Sequence, residues 1–268
     1  MKHILIPVDH SEPSWAAVHC AISMHRDAGI CFYLLHRESL NLQLDEEVVK
    51  LETDYNTLHA RIESTKKLLS PHQKLISLSS EGTFIAQVKE AVYENDIDLI
   101  VCSDLYSFDQ KAKVDLTYTK AIITRVKCPV LIVPQGFKCK PLEQVVLLSD
   151  FNFAHRSKAT NTLTNFVNRS QTHLDILQLK TSNSILTQNQ VENKSFLKSA
   201  LEQFSFSFHS VIDKTMDDAL QFFINIHKVE LVILFAKNIN FLENILFLPV
   251  QDCVPDYRKK LPFLIIHE

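Results

Sequence analysis

The chain contains the same pattern of strands and helices twice, and this repeat restricts the folds that it can adopt. The segment EQVVLLSD at 143–150 matches HILIPVD at 3–9, so that Asp150 stands where Asp9 stands in the first copy. Two further pairs of segments match in the same order: 84–103 with 217–235, and 128–135 with 261–268. Self-similarity over half of a chain is typical of a tandem duplication.

Within each copy, buried strands alternate with amphipathic helices. HILIPVD reads as a buried strand, and 13–29 reads as a helix with apolar residues at helical spacing and Gly29 at its end. The first copy continues with strands near 30–36, 74–80, 98–103 and 129–134, and with helices over 83–95 and 116–126. Strands that alternate with helices predict parallel crossover connections and an α/β sheet covered on both faces.

The length and the joint between the copies predict two domains. A chain of 268 residues exceeds the usual size of one domain. Gly136 and Pro141 mark a break in the pattern at 135–141, where the first copy ends. We therefore expect one domain at 1–137 and a second, more divergent one at 141–268.

Composition indicates a cytoplasmic protein that binds neither nucleic acid nor membrane. The net charge is −3, and no basic stripe is present. The apolar run at the N-terminus ends at Asp9, which is too early for a signal-peptide core, and the apolar segment 231–250 is interrupted by polar residues. The six cysteines form no CxxC pair, so we interpret them as reduced core thiols. They are Cys20, Cys31, Cys102, Cys128, Cys139 and Cys253.

Three segments in this order and spacing resemble the universal stress proteins: IPVDHSEPSWAAVHCAI at 6–22, YLLH at 33–36 and CPVLIVP at 128–134. The chain is similar to a tandem member with two such domains. The resemblance implies two doubly wound, Rossmann-like domains, each with a five-stranded parallel sheet of order 3-2-1-4-5. Ligands of such sheets lie beyond the carboxyl ends of the strands, between strands one and four.

The resemblance also implies how the two domains assemble. In this family the fifth strands pair across a dimer axis, and a tandem chain can make that pair internally. We therefore expect intramolecular pairing of the two domains through their fifth strands, which covers two apolar edges. A homodimer of two such chains would be a further level of assembly.

The family's ATP-binding members carry G-x-x-G, nine residues and then G-[S/T] after the fourth strand, and this chain lacks those glycines. The pattern falls on Ser103, Tyr106, Leu116 and Thr117, of which only Thr117 keeps the family's residue type. A phosphate cradle needs positive φ and no Cβ between the backbone and the anion. Since the loop of the second copy at 236–250 also lacks glycine, we expect no ATP and no other cofactor.

Nine residues would line a vestigial nucleotide pocket by this resemblance: Pro7, Val8, Asp9, Arg37, Ser103, Tyr106, Leu116, Thr117 and Asp150. Asp9 and Asp150 have two interpretations, either ligand contact or hydrogen bonds to backbone N–H groups of the following turn, and we favour the second. Arg37 either closes the pocket or extends to solvent. Thr117 either contacts a phosphate or caps a helix.

No catalytic or metal-binding motif stands out. The twelve histidines include no HExxH and no pair at metal-ligand spacing with carboxylate support. A G-x-S-x-G elbow is also absent. The segment 44–69 has apolar residues at steps of three and four, which predicts a long helix that either packs on its own sheet or offers a surface to a partner.

Two hypotheses of function follow. The first is a cytoplasmic stress-response protein that acts as a non-catalytic interaction module for an unknown protein partner. In it, the loops at 104–113 and 239–250 are free to make contacts. The second is an adenine-nucleotide binder or slow ATP hydrolase that uses Asp9 and Thr117 in the first domain.

Overall fold

The structure is a computed structural model of the 268-residue chain. It describes residues 2–9, 11–26, 29–36, 47–78, 82–103, 115–137, 139, 142–153, 156–170, 172–180, 185–212, 215–247 and 255–267. Within helices and strands, the side chains of 47–56, 115–117, 156–157, 168–170 and 180 also lie outside this description.

Ten strands form one continuous sheet in the order β3-β2-β1-β4-β5-β10-β9-β6-β7-β8. The first copy supplies β1 (Lys2–Val8), β2 (Ile30–His36), β3 (Gln73–Leu78), β4 (Leu99–Ser103) and β5 (Val130–Val133). The second supplies β6 (Gln144–Leu148), β7 (His173–Lys180), β8 (Phe206–Ile212), β9 (Leu231–Phe235) and β10 (Phe263–Ile266). Each half has the order 3-2-1-4-5 with parallel neighbours. The predicted fold class is therefore confirmed.

Helices cover both faces of this sheet. They are α1 (Glu12–Met24), α2 (Glu47–Lys66), α3 (Phe84–Glu94), α4 (Asp115–Arg125), α5 (Arg156–Ser170), α6 (Gln188–Leu201), α7 (Met216–His227), α8 (Ile239–Phe241) and α9 (Asp256–Lys260). Residues of α1, α2, α5 and α6 join one apolar core, which runs through both copies. Residues of α3, α4, α7 and α9 join a second core on the opposite face. The chain thus has three layers, with the sheet between two layers of helices.

The two copies meet where β5 and β10 pair antiparallel. The register places Phe263 opposite Ile132 and Ile265 opposite Val130. All of these side chains are buried. Just beyond β10, the His267 Nε2 donates a hydrogen bond of 2.7 Å to the Ile123 carbonyl oxygen in α4. The predicted pairing of the domains through their fifth strands is confirmed.

The prediction of 239–250 as a free contact loop was wrong for most apolar side chains of its described part, 239–247, although Ile239 is exposed. Residues 239–247 form α8 followed by a π-helical turn at Leu242–Leu246. Four of their side chains are buried in the second core: Phe241, Leu242, Ile245 and Leu246. These four apolar residues are thus explained by packing within the chain's own second core. The other predicted contact loop, 104–113, lies outside the described residues.

The cysteine prediction was wrong for two of the six residues. Cys20 in α1 and Cys139 in the joint between the copies form a disulfide, with Cα atoms 5.4 Å apart. This separation lies in the usual range for a bridge. Cys31, Cys102 and Cys128 are free and buried, as predicted, and Cys253 lies outside the described residues. The spacing of the cysteines did not predict this pair because 119 positions separate the two residues.

The second half of α2 packs on its own sheet. Leu58 is buried in the first core, Ile62 contacts the same core, and so does Leu69, three residues after the helix ends. Of the two alternatives for the apolar pattern at 44–69, the described side chains therefore follow the one in which the helix packs on its own sheet. None of the described helices has both the length and the apolar composition that crossing a bilayer requires.

Candidate functional site

In a doubly wound sheet, the ligand position lies where the carboxyl ends of strands one and four meet. In the first copy these are the ends of β1 and β4, which carry Asp9 and Ser103. Pro7 and Val8 complete β1, and Val8 is buried while Pro7 is half-buried. The fold therefore brings four of the nine predicted pocket residues to one edge of the sheet.

Asp9 organises the turn that leads into α1. Its carboxylate Oδ1 accepts a hydrogen bond of 2.8 Å from the Ser11 backbone N–H and another from the Ser11 hydroxyl. The Asp9 carbonyl oxygen accepts from the Trp15 Nε1 at 2.9 Å and from the Ser14 hydroxyl at 3.2 Å. Ser11 is itself the N-cap of α1, since its Oγ accepts from the Ser14 N–H. These contacts support the structural interpretation of Asp9.

The remaining residues predicted for the first pocket cannot be placed in the same detail. Leu116 and Thr117 lie in the first turn of α4, and their side chains are outside the described part of the structure. Arg37 and Tyr106 lie outside the described residues altogether. Ser103 is half-buried at the end of β4.

Asp150 repeats the geometry of Asp9 in the second copy. Its Oδ1 accepts a hydrogen bond of 3.0 Å from the N–H two residues later, at Asn152. The next residue, Phe151, has a φ of 58°, and its N–H bonds to the Ser149 hydroxyl at 3.0 Å. A left-handed backbone at a bulky residue is uncommon and persists only where the surroundings determine it. Asp150 therefore also belongs to a tightly bonded turn.

Aromatic side chains occupy the end of the sheet in the second copy. The rings of Phe153, which follows β6, and Phe235, the last residue of β9, lie 5.4 Å apart. Both side chains are almost completely buried. Ser103 ends β4, which is the equivalent strand of the first copy. The same position of the fold is thus polar in one copy and filled with rings in the other.

Helix α6 holds this aromatic turn in place. The side-chain amide of Asn193, which is fully buried, donates to the carbonyl oxygens of Phe151 at 2.8 Å and Phe153 at 3.0 Å. Gln190 donates to the Asp150 carbonyl oxygen at 2.8 Å. Sequence reasoning missed these residues. The phenylalanines at 151 and 153 were the available signal, because two aromatic residues directly after a strand are unusual for an open ligand site.

Two buried thiols are poor nucleophiles at neutral pH. Burial raises the pKa of Cys102 to about 12, with a smaller contribution from nearby Cys128. Burial also raises the pKa of Cys128 to about 12, with the Asp98 carboxylate adding to the effect. Since only the thiolate reacts readily, neither is suited to covalent catalysis.

A different group of polar side chains gathers away from the predicted pocket. Asp175 of β7, His209 of β8 and His227 of α7 place one ligand atom each within 4.8 Å of one another. No sequence spacing joins these residues, because three separate elements supply them. Among the described residues, this group has the composition and geometry to hold a metal ion.

Comparisons with known proteins agree on the fold. No protein-family model matches the chain, and no curated protein does. A universal stress protein from Archaeoglobus fulgidus DSM 4304 is similar over 99% of this chain and 96% of its own, with a TM-score of 0.69 and 14% identity. A putative universal stress protein from Pseudomonas aeruginosa UCBPP-PA14 is similar over 100% of this chain and 93% of its own, with a TM-score of 0.58 and 11% identity.

A functionally unknown protein from Pseudomonas aeruginosa PAO1 is similar to the same extent, with a TM-score of 0.58, 12% identity and coverage of 100% of this chain and 92% of its own. The sheet and these likenesses define a class: two doubly wound α/β domains in tandem, joined into one sheet. The chain has the fold of the tandem universal stress proteins. At these identities the likeness establishes the fold and leaves the activity to be argued from the sites.

Proposed function

We propose that the chain is a tandem universal stress protein that acts as a non-catalytic binding module in the stress response, without binding ATP. The observation that carries this proposal is the ring pair of Phe153 and Phe235 at the ligand position of the second copy. Because both rings are buried there, an adenosine at this place would have to displace packed core side chains. Losing the packing of one large aromatic side chain costs ~3–5 kcal/mol.

In the first copy the sequence supports the same conclusion. The segment from Ser103 to Thr117 contains no glycine, and the chain's glycines are Gly29, Gly82 and Gly136. A backbone cradle for phosphates needs residues that adopt positive φ without a Cβ in the way. In the turn after β1, the Asp9 carboxylate already accepts hydrogen bonds from the backbone N–H and the hydroxyl of Ser11.

The alternative function, adenine-nucleotide binding or slow ATP hydrolysis in the first domain, has one observation in its favour. The ends of β1 and β4 carry the polar residues Asp9 and Ser103, where the second copy has buried rings. In this alternative, Asp9 contacts the nucleoside and Thr117 a phosphate. The second domain takes no part.

Isothermal titration of the full chain with ATP and with ADP tests the proposal. We expect no saturable heat up to millimolar nucleotide, and binding in the micromolar range would overturn it. Asp9→Asn and Asp150→Asn form a matched pair for the alternative, since the two residues occupy equivalent turns. Binding that is weakened by Asp9→Asn and unchanged by Asp150→Asn would establish the nucleotide site of the first domain.

The proposed module would work in the cytoplasm, with protein partners or a second copy of the chain. Disulfides are rare in the reducing cytosol, so the Cys20–Cys139 bridge bears on this location. Mass spectrometry after rapid thiol trapping in unstressed cells should find Cys20 and Cys139 largely reduced. A bridge that is complete under these conditions would argue for an oxidising compartment instead.

A further inference from the structure

One carboxylate and three imidazoles lie together at the amino-terminal part of the sheet in the second copy. His173 and Asp175 are the first and third residues of β7, and His209 lies on the neighbouring β8. His227 is the last residue of α7. Because α7 runs back toward the start of β9, its C-terminus returns to the same end of the sheet. This cluster is therefore far from the carboxyl-end pocket discussed above.

The ligand atoms have spacings that suit a bound ion. The Asp175 Oδ1 lies 2.8 Å from the His209 Nε2, and the Asp175 Oδ2 lies 3.7 Å from the His227 Nδ1. The His173 Nε2 lies 3.4 Å from the Asp175 Oδ1. A tetrahedral zinc ion with bonds of ~2.0–2.2 Å separates its ligand atoms by ~3.4 Å. Small side-chain movements would bring the present atoms to those separations.

The burial of Asp175 calls for a positive partner. Its side chain is 1% exposed, and a carboxylate removed from water is costly unless a charge or several hydrogen bonds compensate it. Its described neighbours are imidazoles and the Gln144 side-chain amide, which donates to Oδ2. None of these carries a permanent positive charge.

We propose that Asp175, His209 and His227 bind one divalent transition-metal ion of the Zn²⁺ type. Imidazole nitrogen with one carboxylate oxygen is a ligand set that such ions prefer, whereas Mg²⁺ and Ca²⁺ prefer oxygen alone. His173 or a water molecule completes the fourth position. The three imidazole side chains are each 30% or 31% exposed, so an ion has a path from solvent.

Neighbouring side chains already fix the orientation of the rings. His227 stacks on Phe223 with ring centroids 4.0 Å apart, and His209 meets the edge of the same ring at 5.0 Å. The Ser205 hydroxyl lies 2.6 Å from the His173 Nδ1, while the His173 Nε2 lies 3.1 Å from the Ser207 hydroxyl and 3.4 Å from the Asp175 Oδ1. Outer contacts of this kind orient ligands and raise affinity in metal sites.

The first copy provides an internal comparison. The register places Asp175 opposite Val146 of β6, and Tyr33 opposite Leu5, the matching position of β1. Tyr33 there packs edge-on against His3. The aromatic residue in place of the carboxylate removes the charged ligand, so a full chain should bind one ion and not two.

Titration of the metal-free full chain with Zn²⁺ tests the proposal, with isothermal calorimetry for affinity and elemental analysis for stoichiometry. We expect one ion per chain, and an affinity at least tenfold weaker in both His209→Gln and His227→Gln. His72→Gln, at an exposed histidine outside the cluster, is the matched control and should bind like the parent chain. Co²⁺ should give the visible absorption of a tetrahedral site in the parent chain, and far less in both cluster variants.

Three results would overturn the proposal. The first is no saturable Zn²⁺ binding at concentrations up to about 0.1 millimolar. The second is equal Zn²⁺ affinity in the parent chain and both cluster variants. The third is loss of Zn²⁺ binding in His72→Gln. Far-ultraviolet circular dichroism of every variant confirms that it is folded. As a second substitution, Asp175→Asn keeps the size of the side chain and should also lose the ion.

Discussion

His267 connects the two domains through a single buried imidazole. Burial lowers the pKa of His267 from its ordinary value of 6.5, and the nearby Lys158 adds to this, while the hydrogen bond to the Ile123 carbonyl oxygen opposes it. The native state therefore favours the neutral ring. When the pH falls below 6.5, the unfolded chain takes up a proton that the native chain resists.

We therefore predict that the contribution of neutral His267 to stability is fully present above pH 6.5. It is lost as the pH drops from 6.5 toward the lowered pKa of His267. His267→Gln keeps a donor for the Ile123 carbonyl oxygen without a titrating ring. Its denaturation midpoint should therefore decline less than that of the parent chain between about pH 7.5 and about pH 5.5. His25, whose pKa burial also lowers, should supply part of the remaining decline. Equal slopes in both proteins would contradict the assignment. Urea denaturation curves at each pH give the measurement.

At this scale the sequence predicted some roles and missed others. The interpretation of Asp9 and Asp150 as turn residues agrees with their hydrogen bonds, because a carboxylate at i bonds the N–H at i+2 through local geometry alone. The Asp175 cluster could not be predicted, since its members come together only through tertiary packing.

Among the elements, α6 secures the turn after β6 through Asn193. We predict that Asn193→Ala lowers the free energy of unfolding by roughly 2–3 kcal/mol, because it leaves the buried carbonyl oxygens of Phe151 and Phe153 without this donor. Ser195→Ala, on the exposed side of the same helix, is the control and should change it by less than about 0.5 kcal/mol. Chemical denaturation compares the variants. A loss below about 1 kcal/mol for Asn193→Ala would show that the turn holds without the amide.

Three strands of the first copy were predictable because each is a strong apolar pattern. β1, β2 and β5 are nearly continuous buried runs, which is how strands covered on both faces read. β8 shows no such run, since it is an edge strand with only exposed and half-buried residues. The segment 239–247 was predicted as a contact loop because it is rich in apolar residues, but most of these residues lie in the core.

At the scale of the whole molecule, the Cys20–Cys139 disulfide ties α1 to the joint between the domains. It closes a loop of 119 residues, and bridges over long loops stabilise by ~2–4 kcal/mol, chiefly through the unfolded chain. We predict that Cys139→Ser lowers the free energy of unfolding by this amount. A thiol reductant should lower the denaturation midpoint of the parent chain to that of Cys139→Ser, and leave the variant unchanged. In the parent chain purified without reductant, insensitivity of the midpoint to added reductant, or two free thiols by mass spectrometry, would contradict the bridge.

The antiparallel contact of β5 with β10 has a consequence for assembly. Separate subunits that share such a contact come apart on dilution, and their melting temperature then depends on concentration. Here one polypeptide supplies both strands, so each strand meets its neighbour at an effective concentration that the short connection fixes. This contact should therefore add no dependence of the melting temperature on protein concentration, and the sheet stays whole however scarce the protein becomes.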